Sequence, residues 1–177
     1  STVTERGGHI AAALARLQQR ERNPGSVLQQ ATNRLAELVP DVRAVELDHD
    51  DVRQQLSVRL SLRDSNVCLG PRSLSDGTLR FLALVTLWLD SEGPAVLCME
   101  EPENGIHPAR VPAMVDLLKA FSVDSELAIN DENPLRQVFT NTLSPDVVRQ
   151  VVASELLFVD TINAPGGPMT RVAAVQA

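Results

Sequence analysis

The stretch that decides the fold is AVLCMEEPENGIHP, which spans residues 95–108. Its apolar part, from Pro94 to Met99, is a short continuous run and predicts a central strand of a parallel sheet. Glu100 and Glu101 follow at the carboxyl end of that strand, and this edge is where open α/β folds bind ligands. Mg²⁺ would relieve the repulsion between two adjacent acids, and one carboxylate could then deprotonate an attacking water. Two solvated acids at a strand end are the simpler alternative.

Helices are predicted on both sides of this strand. Residues 79–89 are apolar nearly all round, which predicts a helix buried against a sheet. Pro108 is a favourable first-turn residue and predicts a second helix after the acidic stretch. Further strands are predicted at residues 137–140 and 156–162, with a helix starting at 144–145 between them. This order predicts an α/β fold with right-handed crossovers and a largely parallel sheet.

The first 62 residues are predicted to form two helices and then two strands. Apolar residues recur at helical spacing in residues 10–17 and 28–38, with Asn23-Pro24-Gly25 as the break between them. Alternating apolar residues at 45–47 and 56–62 predict half-buried strands. The acidic segment 48–51 is interpreted as a solvated turn, because nothing nearby in the sequence offers further ligands to a metal ion.

The charge balance excludes one kind of nucleotide site. Sixteen basic residues oppose 23 acidic ones, giving a net charge of −7, and Lys119 is the sole lysine. A phosphate-binding loop of the form G-x-x-x-x-G-K-[ST] therefore cannot lie within these 177 residues. The acidic balance also argues against a broad nucleic-acid surface, which needs clustered cations. If the chain handles a nucleotide, another segment must supply the main phosphate contacts.

Cysteine usage and hydropathy predict a cytoplasmic protein. Cys68 and Cys98 have no His or Cys at metal-ligand spacing, which favours buried free thiols in a reducing compartment. No apolar run approaches the roughly 20 residues that span a bilayer, and the first residues do not resemble a signal peptide. The sequence starts without a methionine, and we therefore expect a fragment of a longer protein.

A second informative stretch, LSDGTLR, spans residues 74–80. Ser75 is a good N-cap for the buried helix, and Gly77 leaves the backbone open to close approach. Free amides and the positive end of the helix dipole make such a turn an anion site. Taken alone, Ser75 is more simply a helix cap. Arg80 follows in the same turn, and we interpret it, like Arg110, as a surface salt link or as a nucleotide contact.

Together the two stretches resemble the signature loop and the Walker B strand of ABC-type ATPase heads. The resemblance is to SMC-like, RecF-like and OLD-like AAA ATPases of DNA repair and phage defence. A third segment, QVFTNTLSP at residues 137–145, is similar to the switch strand and loop of this family. The three segments occur in the family's order. The resemblance implies the carboxyl-terminal half of a P-loop NTPase head that lacks its Walker A loop.

The resemblance implies roles for the acidic pair and for the loop after it. Glu101 would be the catalytic general base that polarises the attacking water. Glu100 would hold Mg²⁺, through a water molecule, although the broader ABC group more often has Asp there. His107 would lie in the D-loop, which crosses the dimer interface in the family. A helix-capping role for His107 beside Pro108 remains an equal alternative.

The resemblance also implies how the signature loop binds ATP. Ser75 and Gly77 would contact the γ-phosphate of a nucleotide held by the opposite subunit, and Leu74 and Asp76 would complete the loop. The implied cofactors are therefore ATP and Mg²⁺. One position departs from the family pattern, because Leu143 stands where the switch histidine belongs. Leucine can neither donate a hydrogen bond to a phosphate nor move a proton.

Three hypotheses about function follow. The first is ATP binding and hydrolysis in a head-to-head homodimer formed through the signature motif and D-loop, in DNA repair or phage defence. The second, motivated by Leu143, is an ATP-gated dimerisation module with little hydrolysis that controls an effector such as a nuclease. The third is a structural α/β domain whose motifs have decayed. The first two need a Walker A lobe from the same or another chain, with a nuclease or DNA as candidate further partners and no membrane.

The resemblance also divides the chain, with residues 1–177 forming the carboxyl-terminal lobe of the head. Residues 1–40 would be helices from the end of the family's helical insertion, and residues 41–73 would be the returning strands. Residues 74–177 would then form the signature, Walker B and switch-loop core.

Overall fold

The computed structural model describes residues 9–175 except residues 22, 53–54, 64, 66 and 131–132. The α-helices are α1 (Ile10–Arg20), α2 (Pro24–Leu38), α3 (Asp76–Leu89), α4 (Val111–Phe121) and α5 (Pro145–Val148). The strands are β1 (Val42–Asp50), β2 (Gln55–Leu62), β3 (Cys68–Leu69), β4 (Val96–Glu100), β5 (Gln137–Asn141), β6 (Leu157–Ala164) and β7 (Gly167–Ala174). Short 3-10 turns lie at Pro71–Ser73, Pro108–Arg110 and Ala153–Glu155.

The helices supply most of the hydrophobic core. Helices α1 and α2 are amphipathic and bury one stripe each, whereas every residue of α3 after Asp76 is buried or half-buried. Side chains from these helices and from α4 pack in one cluster that includes Leu14, Leu35, Phe81, Leu82 and Met114. This arrangement confirms the predicted helices. No helix in the described part of the chain combines the length and hydropathy needed to cross a membrane.

Strands β1, β2 and β3 form an antiparallel sheet against α2. Val45 pairs with Leu60, both are buried, and the Val45 N–H donates to Thr32 Oγ1 of α2 at 2.9 Å. The predicted turn is wrong for residues 48–50, because β1 continues through Asp50 and pairs there with β2, and the turn starts only at Asp51. The ladder hydrogen bonds extend the strand past its last apolar residue, and an ion pair between Asp48 Oδ2 and Arg59 Nη2, at 2.7 Å, joins the two strands.

Strands β4 and β5 form the predicted parallel pair, with α4 in the connection between them. Residues such as Leu97 and Val138 face the core on one side of this pair. The opposite side is uncovered: Val96 is 51% exposed and Phe139 is 53% exposed. One face of a parallel strand pair is therefore open to solvent, although parallel sheets are ordinarily covered on both faces.

Strand β6 does not continue the parallel order that the sequence predicts. It forms an antiparallel hairpin with β7, a strand that the sequence analysis missed, through a tight turn before Gly167. Gly167 has a φ of +114°, which favours glycine, and the adjacent Gly166 is the signal that the sequence offered. Asp160 and Arg171 face each other across the hairpin, and their hydrogen bond raises the pKa of Arg171.

Both cysteines are free thiols, as predicted, but the predicted burial is wrong because both are exposed. Cys68 lies on the two-residue edge strand β3. Cys98 lies on β4 beside Phe139, on the uncovered face of the parallel pair. The apolar run around Cys98 indicates a buried strand, but no described element covers that side of it.

Candidate functional site

The first turn of α3 carries the stretch that resembles a signature loop. Ser75 is its N-cap, and Ser75 Oγ accepts a hydrogen bond from the Thr78 N–H at 3.1 Å. Ser75 and Asp76 are exposed, whereas Leu74 is half-buried and packs against the core. The cap that the sequence predicts is thus confirmed. Leu74 anchors the turn, and the two polar residues face outward from it.

Gly77 lies against the loop that follows β4. A Cβ atom on Gly77 would come within 2.2 Å of the Gly105 carbonyl oxygen and 2.7 Å of the Gly105 carbonyl carbon. Gly105 itself has a φ of +80°, which also favours glycine. The sequence predicted only that the missing side chain of Gly77 lets a phosphate approach the backbone closely. The structure adds a packing requirement within the chain, which joins the start of α3 to the acidic loop.

Glu100 and Glu101 lie at the carboxyl end of β4, and both are exposed. Glu101 leaves the strand with a φ of +43°, in the left-handed region that residues with a side chain seldom adopt. The Glu101 N–H donates to the main-chain oxygen of Asn141 at 3.0 Å, at the end of β5. The acidic pair therefore lies where β4 and β5 end side by side.

The carbonyl of Glu101 is also held from the signature side. Arg80 Nη1 donates to the Glu101 carbonyl oxygen at 2.9 Å, and the Asn104 N–H donates to the same oxygen at 2.9 Å. Arg80 is half-buried and forms no ion pair among the described residues. The expected salt link is therefore replaced by a contact with main chain. The three segments singled out in the sequence meet at the peptide groups of Glu101.

His107 lies at the end of the acidic loop and is exposed. Its Nδ1 atom accepts a hydrogen bond from the Ala109 N–H at 3.2 Å and caps the 3-10 turn that starts at Pro108. The capping interpretation is confirmed. A neutral imidazole that accepts at Nδ1 carries its proton on Nε2.

The switch loop is tied to the acidic loop by Thr142 and Glu103, a contact that sequence reasoning missed. Thr142 Oγ1 donates to Glu103 Oε1 and accepts from the Ser144 N–H at 2.9 Å. Glu103 Oε2 is buried and has no hydrogen-bond partner among the described residues. Leu143, held between these anchors, is 92% exposed. The polar neighbours of the switch position are therefore fixed while its leucine side chain extends into solvent.

The acidic edge offers few metal ligands of its own. The described residues contain no group of three or more His, Cys, Asp or Glu side chains that could hold a metal ion. Mg²⁺ usually keeps several waters and is bound by one or two carboxylates together with substrate phosphates. The exposed Glu100 carboxylate fits such a shared site. It does not fit a cage built from this chain alone.

The opposite end of α3 holds a charged cluster around Asp90, which is buried. Its carboxylate pairs with Arg16 of α1, and its carbonyl accepts a hydrogen bond from Arg136. Burial lowers the pKa of Arg136, and the charge of Asp90 partly opposes that effect. Two surface pockets open near this end of α3. This cluster therefore links both α1 and the segment before β5 to the end of α3.

Comparison with protein families gives one match. The family described as "AAA domain, putative AbiEii toxin, Type IV TA system" matches residues 8–146. The match includes residues 74–80, the acidic pair and residues 137–145. No curated protein matches the sequence.

Similar folds occur in SMC ATPase heads. A chain from work on ATP-driven dimerisation and DNA-stimulated activation of SMC ATPases has a TM-score of 0.57 and 12% identity, over 93% of this chain and 90% of that one. An SMC head bound to the C-terminal winged-helix domain of ScpA has a TM-score of 0.57 and 12% identity, over 99% of this chain and 52% of that one.

A third similar structure is the Pyrococcus furiosus Smc head with an extended coiled coil, bound to the C-terminal domain of ScpA. It has a TM-score of 0.54 and 11% identity, over 82% of this chain and 34% of that one. The present chain thus spans about half the length of the head bound to the winged-helix domain and about a third of the length of the Pyrococcus furiosus head. The shared fold is that of a P-loop NTPase head, in agreement with the α/β class predicted from the sequence.

Proposed function

The chain belongs to this AAA domain family, and on that premise we propose that it is the carboxyl-terminal lobe of an SMC-like head that binds and hydrolyses ATP. The observation that carries the proposal is the convergence at Glu101. The acidic strand end, the switch strand and the signature helix meet there through hydrogen bonds of 2.9 to 3.0 Å. A reaction site at a sheet edge is built from several chain segments that meet in this way. An acidic pair that is only solvated needs no such contacts.

In the proposed site Glu101 is the general base, and its exposed carboxylate is free to reach a water beside bound ATP. Glu100 is the carboxylate that holds Mg²⁺ together with the nucleotide phosphates. When bound, the ion supplies charge stabilisation to the transferring phosphoryl group. Ser75 and Gly77, flanked by Leu74 and Asp76, present the start of α3 to the γ-phosphate of a nucleotide bound by the opposite subunit. His107 lies at the dimer interface.

The main phosphate contacts come from a Walker A lobe outside residues 1–177. Lys119 lies on α4 and is not available for that role, because its Nζ donates to the Gln150 carbonyl oxygen at 2.8 Å. The uncovered face of β4 and β5, with Val96 and Phe139 exposed, supports docking of a further layer. The exposed apolar residues of β6 and β7 support the same conclusion; they are Leu157, Phe158, Val159, Met169 and Val172.

The same proposal divides the chain into three parts. Residues 1–40 are the helices that end the family's insertion, residues 41–73 are the returning strands, and residues 74–177 are the nucleotide-binding core. The homodimer would form through the signature turn and the loop that contains His107. SMC heads of similar fold undergo ATP-driven dimerisation and DNA-stimulated activation. By analogy, we propose a role in DNA repair or phage defence.

The two cysteines provide a test of lobe docking. Cys98 lies on the uncovered face and Cys68 lies on the edge strand β3 of the antiparallel sheet, and both are exposed. A maleimide should label both thiols in the chain alone. Addition of the Walker A lobe should slow labelling of Cys98 by more than about tenfold while Cys68 reacts as before, because labelling follows exposure of the thiol. Equal rates at Cys98 with and without the lobe would exclude docking on this face.

Hydrolysis is tested by Glu101→Gln in the assembled two-lobe protein. Loss of a general base should lower the ATP turnover rate by about 100-fold or more. ATP-dependent dimerisation should persist, because the amide keeps the size of the side chain and the main-chain contacts of Glu101. An unchanged turnover rate would remove Glu101 from the role of base.

The exposed Leu143 favours a second candidate function. In that proposal the lobe binds ATP and dimerises with negligible hydrolysis, and the dimer controls an effector such as a nuclease. Turnover by the assembled protein should then be very slow, and Leu143→His should raise it, because histidine can donate to a phosphate and move a proton. Brisk turnover by the unaltered protein would exclude the regulatory proposal.

A further inference from the structure

We propose that Arg80 is a positioning residue that couples the signature helix to the general base Glu101 within one chain. The inference rests on the proposed function, since it takes Glu101 as the base and the start of α3 as the signature turn. Neither the family match nor the similar folds assigns a role to Arg80. The evidence is the hydrogen bond from Arg80 Nη1 to the Glu101 carbonyl oxygen at 2.9 Å.

Glu101 needs support from outside its own strand. Its φ of +43° is unfavourable for a residue with a side chain, so the surrounding structure must maintain this conformation. Asn141 holds the N–H of Glu101 from the β5 side, at 3.0 Å. Arg80 holds the carbonyl from the α3 side. The main chain of Glu101 is therefore clamped between two elements, and the direction of its side chain depends on both.

The α3 side of this clamp moves with the signature turn. Arg80 lies one turn after Ser75 on a helix whose Gly77 is packed against Gly105. Gly105 follows Glu101 in the same loop, so the helix start contacts this loop at both of its ends. A shift of the helix start on contact with a γ-phosphate would move the Glu101 carbonyl with it. Engagement of the signature turn at one nucleotide would therefore set the base for the other.

Two alternative roles for Arg80 make different predictions. A surface salt link would need an acidic partner, and Arg80 has none among the described residues. A direct nucleotide contact would affect ATP affinity more than turnover at saturating ATP. A positioning role affects turnover and leaves affinity unchanged. The separation of these two kinetic constants therefore distinguishes the alternatives.

The test uses the assembled two-lobe protein with Arg80→Met, which keeps an unbranched, largely apolar side chain but cannot donate a hydrogen bond. Arg80→Lys can still donate one hydrogen bond, and Arg43→Met removes an exposed arginine from the outer edge of β1 as a matched control. Thermal unfolding followed by circular dichroism checks that each variant is folded. The readouts are hydrogen exchange of the 101–106 segment, single-turnover ATP hydrolysis and ATP-dependent dimerisation.

Arg80→Met should speed exchange of the Asn104 amide, which donates to the same carbonyl. We expect ATP to slow that exchange in the unaltered protein and to have no such effect in Arg80→Met. The turnover rate at saturating ATP should fall by about tenfold, the effect of one lost hydrogen bond from a charged donor. The ATP concentration for half-maximal dimerisation should change by less than about twofold, because the signature turn is intact. Arg80→Lys should recover part of both losses, and Arg43→Met should behave as the unaltered protein.

Unchanged exchange and turnover in Arg80→Met would overturn the proposal. So would a loss of ATP affinity at an unchanged turnover rate, which would indicate direct nucleotide contact. If the unaltered protein does not hydrolyse ATP, the hydrolytic function fails separately, and the exchange measurement alone decides. Faster exchange in Arg80→Met would then support the clamp, and equal exchange would refute it.

Discussion

Replacement of Gly77 by alanine should destabilise the protein, whereas the same replacement at Gly25 should not. Each glycine is the second residue of its helix, after Pro24 in α2 and after Asp76 in α3. The two substitutions therefore make the same chemical change at the same helical position. They differ in what the new methyl group meets, and the difference in stability measures that contact.

The magnitude follows from the surroundings of each added Cβ. At Gly77 it would lie 2.2 Å from the Gly105 carbonyl oxygen, a main-chain atom that cannot rotate away. Overpacking of this kind costs about 1 to 3 kcal/mol. At Gly25 the nearest atom is Asn23 Oδ1 at 3.6 Å, an ordinary contact. Replacing a helical glycine by alanine contributes roughly 0.5 to 1 kcal/mol of stability at either site.

Gly25→Ala should therefore raise the free energy of unfolding by about 0.5 kcal/mol, and Gly77→Ala should lower it by about 1 to 2 kcal/mol. Urea unfolding followed by circular dichroism gives both values if the slope of the transition is the same in all variants. The melting temperatures should differ in the same order, by about 3 °C for each kcal/mol. Equal stabilities for the two variants would show that the acidic loop moves aside freely, and the packing argument would fail.

Two further substitutions test other contacts. Asp90→Asn should lower the free energy of unfolding in urea by about 1 to 2 kcal/mol, because it leaves Arg16 without its charged partner in a half-buried site. The control Asp146→Asn, in an exposed pair with Arg149, should lower it by less than about 0.5 kcal/mol. Equal losses would show that burial of the Asp90 pair is unimportant. Asn133→Ala should speed limited proteolysis of the loop after α4 by about tenfold, because Asn133 Nδ2 donates to the carbonyls of Asp124, Leu127 and Ala128. The control Asn33→Ala should leave the cleavage rate of this loop unchanged. Equal cleavage rates in the two variants would contradict the prediction.

The sequence predicted the elements whose signals are local. The cap at Ser75, the turn that starts at Pro108, the helical periodicity of α1 to α4 and the apolar run of β4 depend on neighbouring residues only, and the structure contains all of these elements. The predicted acidic pair lies at the strand end for the same reason. Motif order along the chain then gave the fold class before any contact was known.

Features that depend on distant contacts were missed. The burial predicted for Cys98 requires a layer over β4 that the described residues do not supply. The extension of β1 through Asp50 depends on pairing with β2, which outweighs the turn preference of the acids. Neither the packing of Gly77 on Gly105 nor the bond from Thr142 to Glu103 has a signal in either segment alone. Side chains that act across loops become visible only when the segments are brought together.

The clamp on Glu101 also bears on how the protein folds. Arg80 lies 21 residues before Glu101, and Asn141 lies 40 residues after it. Contacts of such sequence separation form late, because loop closure must be achieved before they contribute stability. We therefore expect the geometry of the proposed base to be among the last features to form as the chain folds. Partly synthesised chains would carry every motif up to Glu101 and still lack an ordered site, so under the proposed function incomplete heads would not consume ATP.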